Sequence, residues 1–191
     1  MEFKKIQLNG FKSFAEKTNF LIEDGLTGIV GPNGCGKSNI VESLRWVMGE
    51  TSAKSMRGSG MEDVIFSGTS NKASKNIAEV AIEVENKDKE GPIQYRETEQ
   101  IQVRRKIEKD KGSKFYINDK EVRARDAQMF FADLSTGAHS PSMISQGRIG
   151  ALVTAKPTDR RAILEEAAGI SGLHVRRHEA ELRLGAAENN I

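Results

Sequence analysis

The stretch that most constrains this chain is Gly31-Pro32-Asn33-Gly34-Cys35-Gly36-Lys37-Ser38. It fits the pattern G-x-x-x-x-G-K-[ST], and it stands between a β-prone run, Leu26–Val30, and a segment of helical period. The glycines let the backbone curl so that its N–H groups point at one centre, and the helix that follows adds the partial positive charge of its N-terminus. From the last two positions, the Lys37 ammonium can reach the β- and γ-phosphates of a nucleotide and the Ser38 hydroxyl can ligate Mg²⁺. A glycine-rich turn with a chance lysine explains the octapeptide but not the strand before it and the helix after it. The sequence therefore predicts nucleotide binding and an α/β fold built around this loop. Within the loop Cys35, the only cysteine, reads as a small filler rather than a nucleophile, because no histidine lies near it in sequence.

The rest of the chain reads around that anchor. Phe3, Ile6 and Leu8 lie in one β-prone segment, and residues 19–24 supply another. Asn9-Gly10 and Asp24-Gly25 favour hairpin turns, so the opening is expected to be antiparallel before Leu26–Val30 enters the core as a strand. Ile40, Leu44, Val47 and Met48 fall at helical spacing with Gly49 as a stop, which predicts a helix from Lys37 to Met48. A loop over 51–60 and a short strand over 62–68 follow. Ala78, Val80, Ile82 and Val84 alternate with polar residues, the pattern of a half-buried strand, and 101–122 reads as two strands around a Lys109–Gly112 turn. A helix is expected over Arg123–Leu134, then a Ser/Gly-rich loop over 135–150, then a short helix from Pro157 to a stop at Gly169. A further helix starts near Ser171. Its Leu173, Ala180, Leu184, Ala187 and Ile191 suit either a coiled-coil seam or an ordinary amphipathic helix, with no stop signal before Ile191.

Composition excludes more than it proposes. With 191 residues, 37% hydrophobic and 29% charged, the chain suits one soluble domain, and no apolar run approaches the roughly 18–20 residues that span a bilayer. The N-terminus lacks an apolar signal core and a disulfide is impossible with one cysteine, so a cytoplasmic, reducing setting is expected. A net charge of +2 does not argue for nucleic acid. Basic residues cluster at Arg104, Arg105 and Lys106 and at Arg123 and Arg125, but Glu108, Asp110 and Asp126 interrupt both clusters, and a solvated face is the default.

Among P-loop proteins a GTPase is disfavoured, since the Asn-Lys pairs at Asn71 and Asn86 lack the aspartate of a guanine reader. An acidic Mg²⁺ residue at a strand end has one local candidate, Asp133, whose flanks read as a helix, so a helix-core role is preferred. His174 and His178 are four apart, a spacing that can hold zinc, but Arg176 and Arg177 lie between them and no carboxylate completes the set. Exposed helix positions are the better reading. His139 has no visible partner.

Four ordered blocks together resemble the N-terminal half of the head of the SMC (structural maintenance of chromosomes) family, most closely its bacterial chromosome-condensing branch. They are residues 3–14, 28–50, 52–69 and 144–170, with the weakest match over 85–120. The resemblance implies an ABC-type P-loop lobe over 1–170, with a mixed core sheet, an antiparallel β subdomain and, over 171–191, the start of a coiled-coil neck. It implies ATP held by Asn33, Gly34, Gly36, Lys37 and Ser38, with Pro32, Cys35 and Asn39 in the same grip. Gln146 matches the glutamine that helps ligate Mg²⁺ and orders the attacking water, and Arg57 the arginine that reaches phosphate. Lys12 and Ser13 are implied near the nucleotide. The signature motif, the Asp-Glu pair and the switch histidine of the family belong to the C-terminal half, so the site is expected to be completed by that half and by a second head. A kleisin subunit on the neck helix, an accessory subunit, sequence-independent DNA contact through Arg104–Lys106 and a place at the bacterial nucleoid complete the implication. The rival readings are another coiled-coil ABC-type DNA-repair ATPase, a nucleotide-gated module without turnover of its own and, weakest, a small-molecule kinase.

Overall fold

The computed structural model describes residues 1–87, 89, 91–134 and 153–168, with single positions at 143 and 150 and between 177 and 188. Among the described residues six strands, β1 (Glu2–Asn9), β2 (Thr18–Leu21), β3 (Ile77–Glu85), β4 (Gln100–Glu108), β5 (Gly112–Ile117) and β6 (Lys120–Val122), form one sheet in the order β2-β1-β3-β4-β5-β6. Helix α1 (Lys37–Val47) lies in the long excursion between β2 and β3 and packs on β3 and β4; α2 (Ala124–Asp133) packs on β5. A third helix, α3, spans Pro157–Ala167, with Pro157 at its first turn and an Arg161–Glu165 ion pair at 2.7 Å one turn apart.

Alternation drives the sheet onto the helices. Ala78, Val80, Ile82 and Val84 of β3 pair with Ile107, Arg105, Val103 and Ile101 of β4, and all eight are buried on the helix side. Phe115 and Ile117 continue these rows on β5, Ile6 and Leu8 on β1. Trp46 and Val47 from α1 and Phe130 and Phe131 from α2 close the core from above.

Four expectations change. Leu26–Val30 pairs with no strand: Leu26 is 98% and Val30 94% exposed. An apolar run of that kind becomes a strand only where neighbours supply ladder hydrogen bonds, and none of the described strands reaches it. For the same reason the sheet is antiparallel throughout among the described residues, instead of mixed. The strand expected over 62–68 is a 3-10 turn, Met61–Val64, before Ile65 bridges Phe11. Asp63 causes the turn: its Oδ2 accepts the N–H groups of Ser59 (2.6 Å) and Gly60 (2.9 Å) and the Ser59 hydroxyl (2.8 Å). Finally, 101–122 holds three strands rather than two, because Asn118 and Asp119 both adopt positive φ, 47° and 62°, and turn the chain into β6. The helix expected from Ser171 lies largely outside the described residues.

Candidate nucleotide-phosphate site

Helix α1 begins on Gly36, which is left-handed at φ 94°; a Cβ there would run into Ser13 Oγ. Among the described residues no side chain caps this end, and no acidic residue occupies its first turn. The Asn39 N–H turns back to the Gly36 carbonyl at 2.9 Å, while the N–H groups of Lys37 and Ser38 and the positive end of the helix dipole meet no acidic side chain of the first turn. Lys37 folds back over the loop, its Nζ donating to the carbonyls of Gly31 (2.6 Å) and Pro32 (2.7 Å). Ser38 stands one residue further. Donors, a cation and a hydroxyl oxygen thus share one exposed rim, and that set fits the oxygens of a polyphosphate and one hydroxyl ligand of Mg²⁺. No group of three or more His, Cys, Asp or Glu side chains among the described residues could hold a metal ion independently. Cys35 is exposed at the tip, beside Gly31, as a filler would be.

The neighbours of the loop form a connected set. Asn39 Nδ2 donates to Ser13 Oγ at 2.9 Å, and its Oδ1 accepts from Arg57 Nη2 at 3.3 Å. Arg57 also meets Glu42, and Lys12 pairs with the other oxygen of the same carboxylate. Lys12 Nζ donates to the Met56 carbonyl as well. The structure thus links Ser13, Asn39 and Arg57 beside the loop. Lys12, only 13% exposed, faces a buried carboxylate instead of the rim. Gln146 and all three histidines lie outside the described residues.

Of three further candidates, Asp133 keeps its sequence reading and the two arginines proposed for DNA contact change theirs. Asp133 ends a helix, as preferred, and α2 touches α1 at the far end from the loop, where Gln128 Nε2 donates to the Gly49 carbonyl at 2.8 Å. Arg105 cannot serve as a DNA contact: it is 3% exposed, lies 4.5 Å over the Trp46 ring and 4.6 Å over the Phe115 ring, and donates from Nη1 to the carbonyls of Trp46 and Glu50, both at 2.7 Å. It caps the C-terminal end of α1, where a cation belongs. Arg104 is already engaged by Glu79 (3.1 Å) and Asp119 (3.0 Å) and stacks on Tyr116.

Sequence reasoning missed Glu42. Its signal was a carboxylate one turn after Asn39 and one turn before the buried Trp46, at the edge of the face that α1 turns to the core. A charge in such a place is buried only with partners.

The model of the RecF/RecN/SMC N terminal domain matches residues 2–148. A chromosome partition protein Smc of Cereibacter sphaeroides is 57% identical over the whole chain, and one of Clostridium kluyveri 45%; the chain spans about a sixth of either. Among solved structures, an SMC ATPase chain studied for ATP-driven dimerization and DNA-stimulated activation aligns at TM-score 0.74 and 32% identity, covering 87% of this chain and 99% of that one. An Smc head from Pyrococcus furiosus, bound to the C-terminal domain of ScpA, aligns at TM-score 0.81 and 31% identity, covering 98% of this chain and 47% of that one.

Proposed function

This chain belongs to the RecF/RecN/SMC family as the N-terminal part of an SMC ATPase head, and on that premise we propose that it is the ATP-binding half of a head whose engagement acts in chromosome condensation and segregation. The observation that carries the reading is the uncapped, exposed N-terminus of α1 beneath Lys37 and Ser38, with Arg57 tied beside it. In this reading Lys37 exchanges its two loop carbonyls for phosphate oxygens, so that one cation closes the loop when empty and grips the ligand when full. The backbone N–H groups of the loop and of the first turn of α1 take the β-phosphate. Arg57 supplies a fork of donors toward the outer phosphates. Mg²⁺, held through the Ser38 hydroxyl and Gln146, would neutralise phosphate charge.

The head is completed by the C-terminal half of the same protein. Leu26, Ile29 and Val30, which are exposed beside the edge strand β2, are the surface that half would cover. A second head then closes on the nucleotide, a kleisin takes the neck helix from about Ser171 with an accessory subunit in attendance, and DNA is held without sequence preference. No described helix is long and apolar enough to cross a membrane, and the proposed setting is the cytoplasm, at the nucleoid.

Equilibrium binding of MgATP to the full-length protein tests the reading. Lys37→Ala removes charge-assisted hydrogen bonds and is expected to weaken binding by roughly 10- to 100-fold. Binding equal to that of the unmodified protein would overturn it.

A further inference from the structure

We infer that Glu42 is a positioning residue of this site, which sets Arg57 in place for the nucleotide with Lys12 as its counter-ion. The inference rests on the ATP-binding reading above. Glu42 lies in the second turn of α1 with its side chain only 10% exposed. Its Oε2 accepts from Lys12 Nζ and its Oε1 meets Arg57 Nη2. Lys12 Nζ reaches further, to the carbonyl of Met56 at 2.5 Å, and Met56 is the residue immediately before Arg57. Arg57 is therefore held twice from one carboxylate: through its side chain directly, and through its backbone by way of Lys12. Asn39 adds a third hold and passes it to Ser13, which fills the space beside Gly36.

Stability alone does not account for this carboxylate. Two charges taken out of water together are no better for folding than an apolar pair of the same volume; what they provide is a fixed geometry. The backbone carries a second mark of that geometry. Lys12 and Arg57 are both left-handed, at φ 46° and 54°, a conformation uncommon for long side chains. Such residues persist where their surroundings over-determine them, and these two are the pair that Glu42 holds.

The consequence is a guanidinium with one nitrogen tethered and the others presented. Arg57 is 59% exposed, and neither its Nη1 nor its Nε makes a hydrogen bond among the described residues. A long, mobile arginine would have to surrender its rotamers on binding; one already fixed through Nη2 surrenders little and keeps two donors in the plane that a phosphate needs.

The test is equilibrium binding of MgATPγS to the full-length protein, in which no turnover enters. Arg57→Ala is expected to weaken binding about tenfold, the order of one charge-assisted hydrogen bond, and Glu42→Gln to do the same. Their combination should be no worse than Arg57→Ala alone, because one acts through the other. Losses that multiply in the double variant overturn the inference, as does normal binding by Glu42→Gln beside impaired binding by Arg57→Ala. Glu42→Asp guards against a folding defect: it keeps the charge that Lys12 needs but withdraws the carboxylate from Arg57, so weakened binding at an unchanged melting temperature is expected, and unchanged binding overturns the inference. If Lys37→Ala binds normally, the ATP site itself has failed, which is a separate result.

Discussion

Arg105 gives the sharpest quantitative prediction of the fold. Replacing it by alanine removes three hydrogen bonds of 2.7 Å, to the carbonyls of Trp46 and Glu50 and to Ser113 Oγ, together with the contacts over two aromatic rings. Each of the two buried carbonyls loses a charge-assisted hydrogen bond at about 1.5–3 kcal/mol, although the Trp46 carbonyl keeps the Gly49 N–H at 3.2 Å, and the lost ring contacts add about 0.5–2 kcal/mol. Removing the guanidinium returns part of this, since burying it has a cost: burial pulls its pKa down to about 10, which still leaves it charged at neutral pH. Setting the recovered desolvation against these losses leaves a net destabilisation of about 3–5 kcal/mol. In a chain of this size that is a fall in Tm of roughly 6–20 °C. Arg105→Met keeps contact with the rings but supplies no donor, and should cost about 2 kcal/mol. Its neighbour Arg104, on the solvent side, should cost less than about 1 kcal/mol as alanine. Urea unfolding of the head, read at constant m, measures all three. The reasoning fails if Arg105→Ala lies within about 1 kcal/mol of the unmodified protein, or if Arg104→Ala costs more than Arg105→Ala.

Two further outcomes follow from named contacts. Hydrogen bonds from Gly60 N–H, the Ser59 hydroxyl and Ser59 N–H hold the Asp63 pKa below the usual carboxylate range. Its contribution to stability is therefore present above the unfolded-state pKa near 4 and is lost as pH falls through the lower folded-state value. The gap in urea midpoint between unmodified protein and Asp63→Ala should accordingly be widest near neutrality and close in strong acid; a gap independent of pH would dismiss the turn as the cause. Leu26→Ser with Val30→Ser should raise the solubility of the isolated chain while abolishing its pairing with the C-terminal half, as read by sedimentation. Unchanged pairing would remove that surface from the interface.

The sequence was most legible where the signal is local. Helix α2 is bounded by Arg123 and Leu134 as expected, since Ala127, Phe130 and Phe131 share one face and the Asp126 carboxylate accepts the Arg123 N–H. The P-loop helix is equally plain. Leu26–Val30 shows the limit of a local signal: its residues are β-prone, yet pairing requires partners, and the described strands supply none. Arg105 shows a conflict between two signals. Charge placed it outside, while the alternation Ile101, Val103, Arg105, Ile107 placed it inside, and alternation prevailed because the end of α1, more than 50 residues away in sequence, offers carbonyls to receive it. Glu42 was hidden for a related reason. Its partners Lys12 and Arg57 flank it at a distance in the chain, and only the packed fold brings both cations to one carboxylate.

ATP turnover by this chain, alone and mixed with the C-terminal half of its own protein, tests the central claim most directly, with Lys37→Ala as control in each case. Hydrolysis that appears only in the mixture and disappears with Lys37→Ala is the predicted result. Hydrolysis by the chain alone would contradict it, place a complete catalytic site within these 191 residues, and make Asp133 the first residue to substitute.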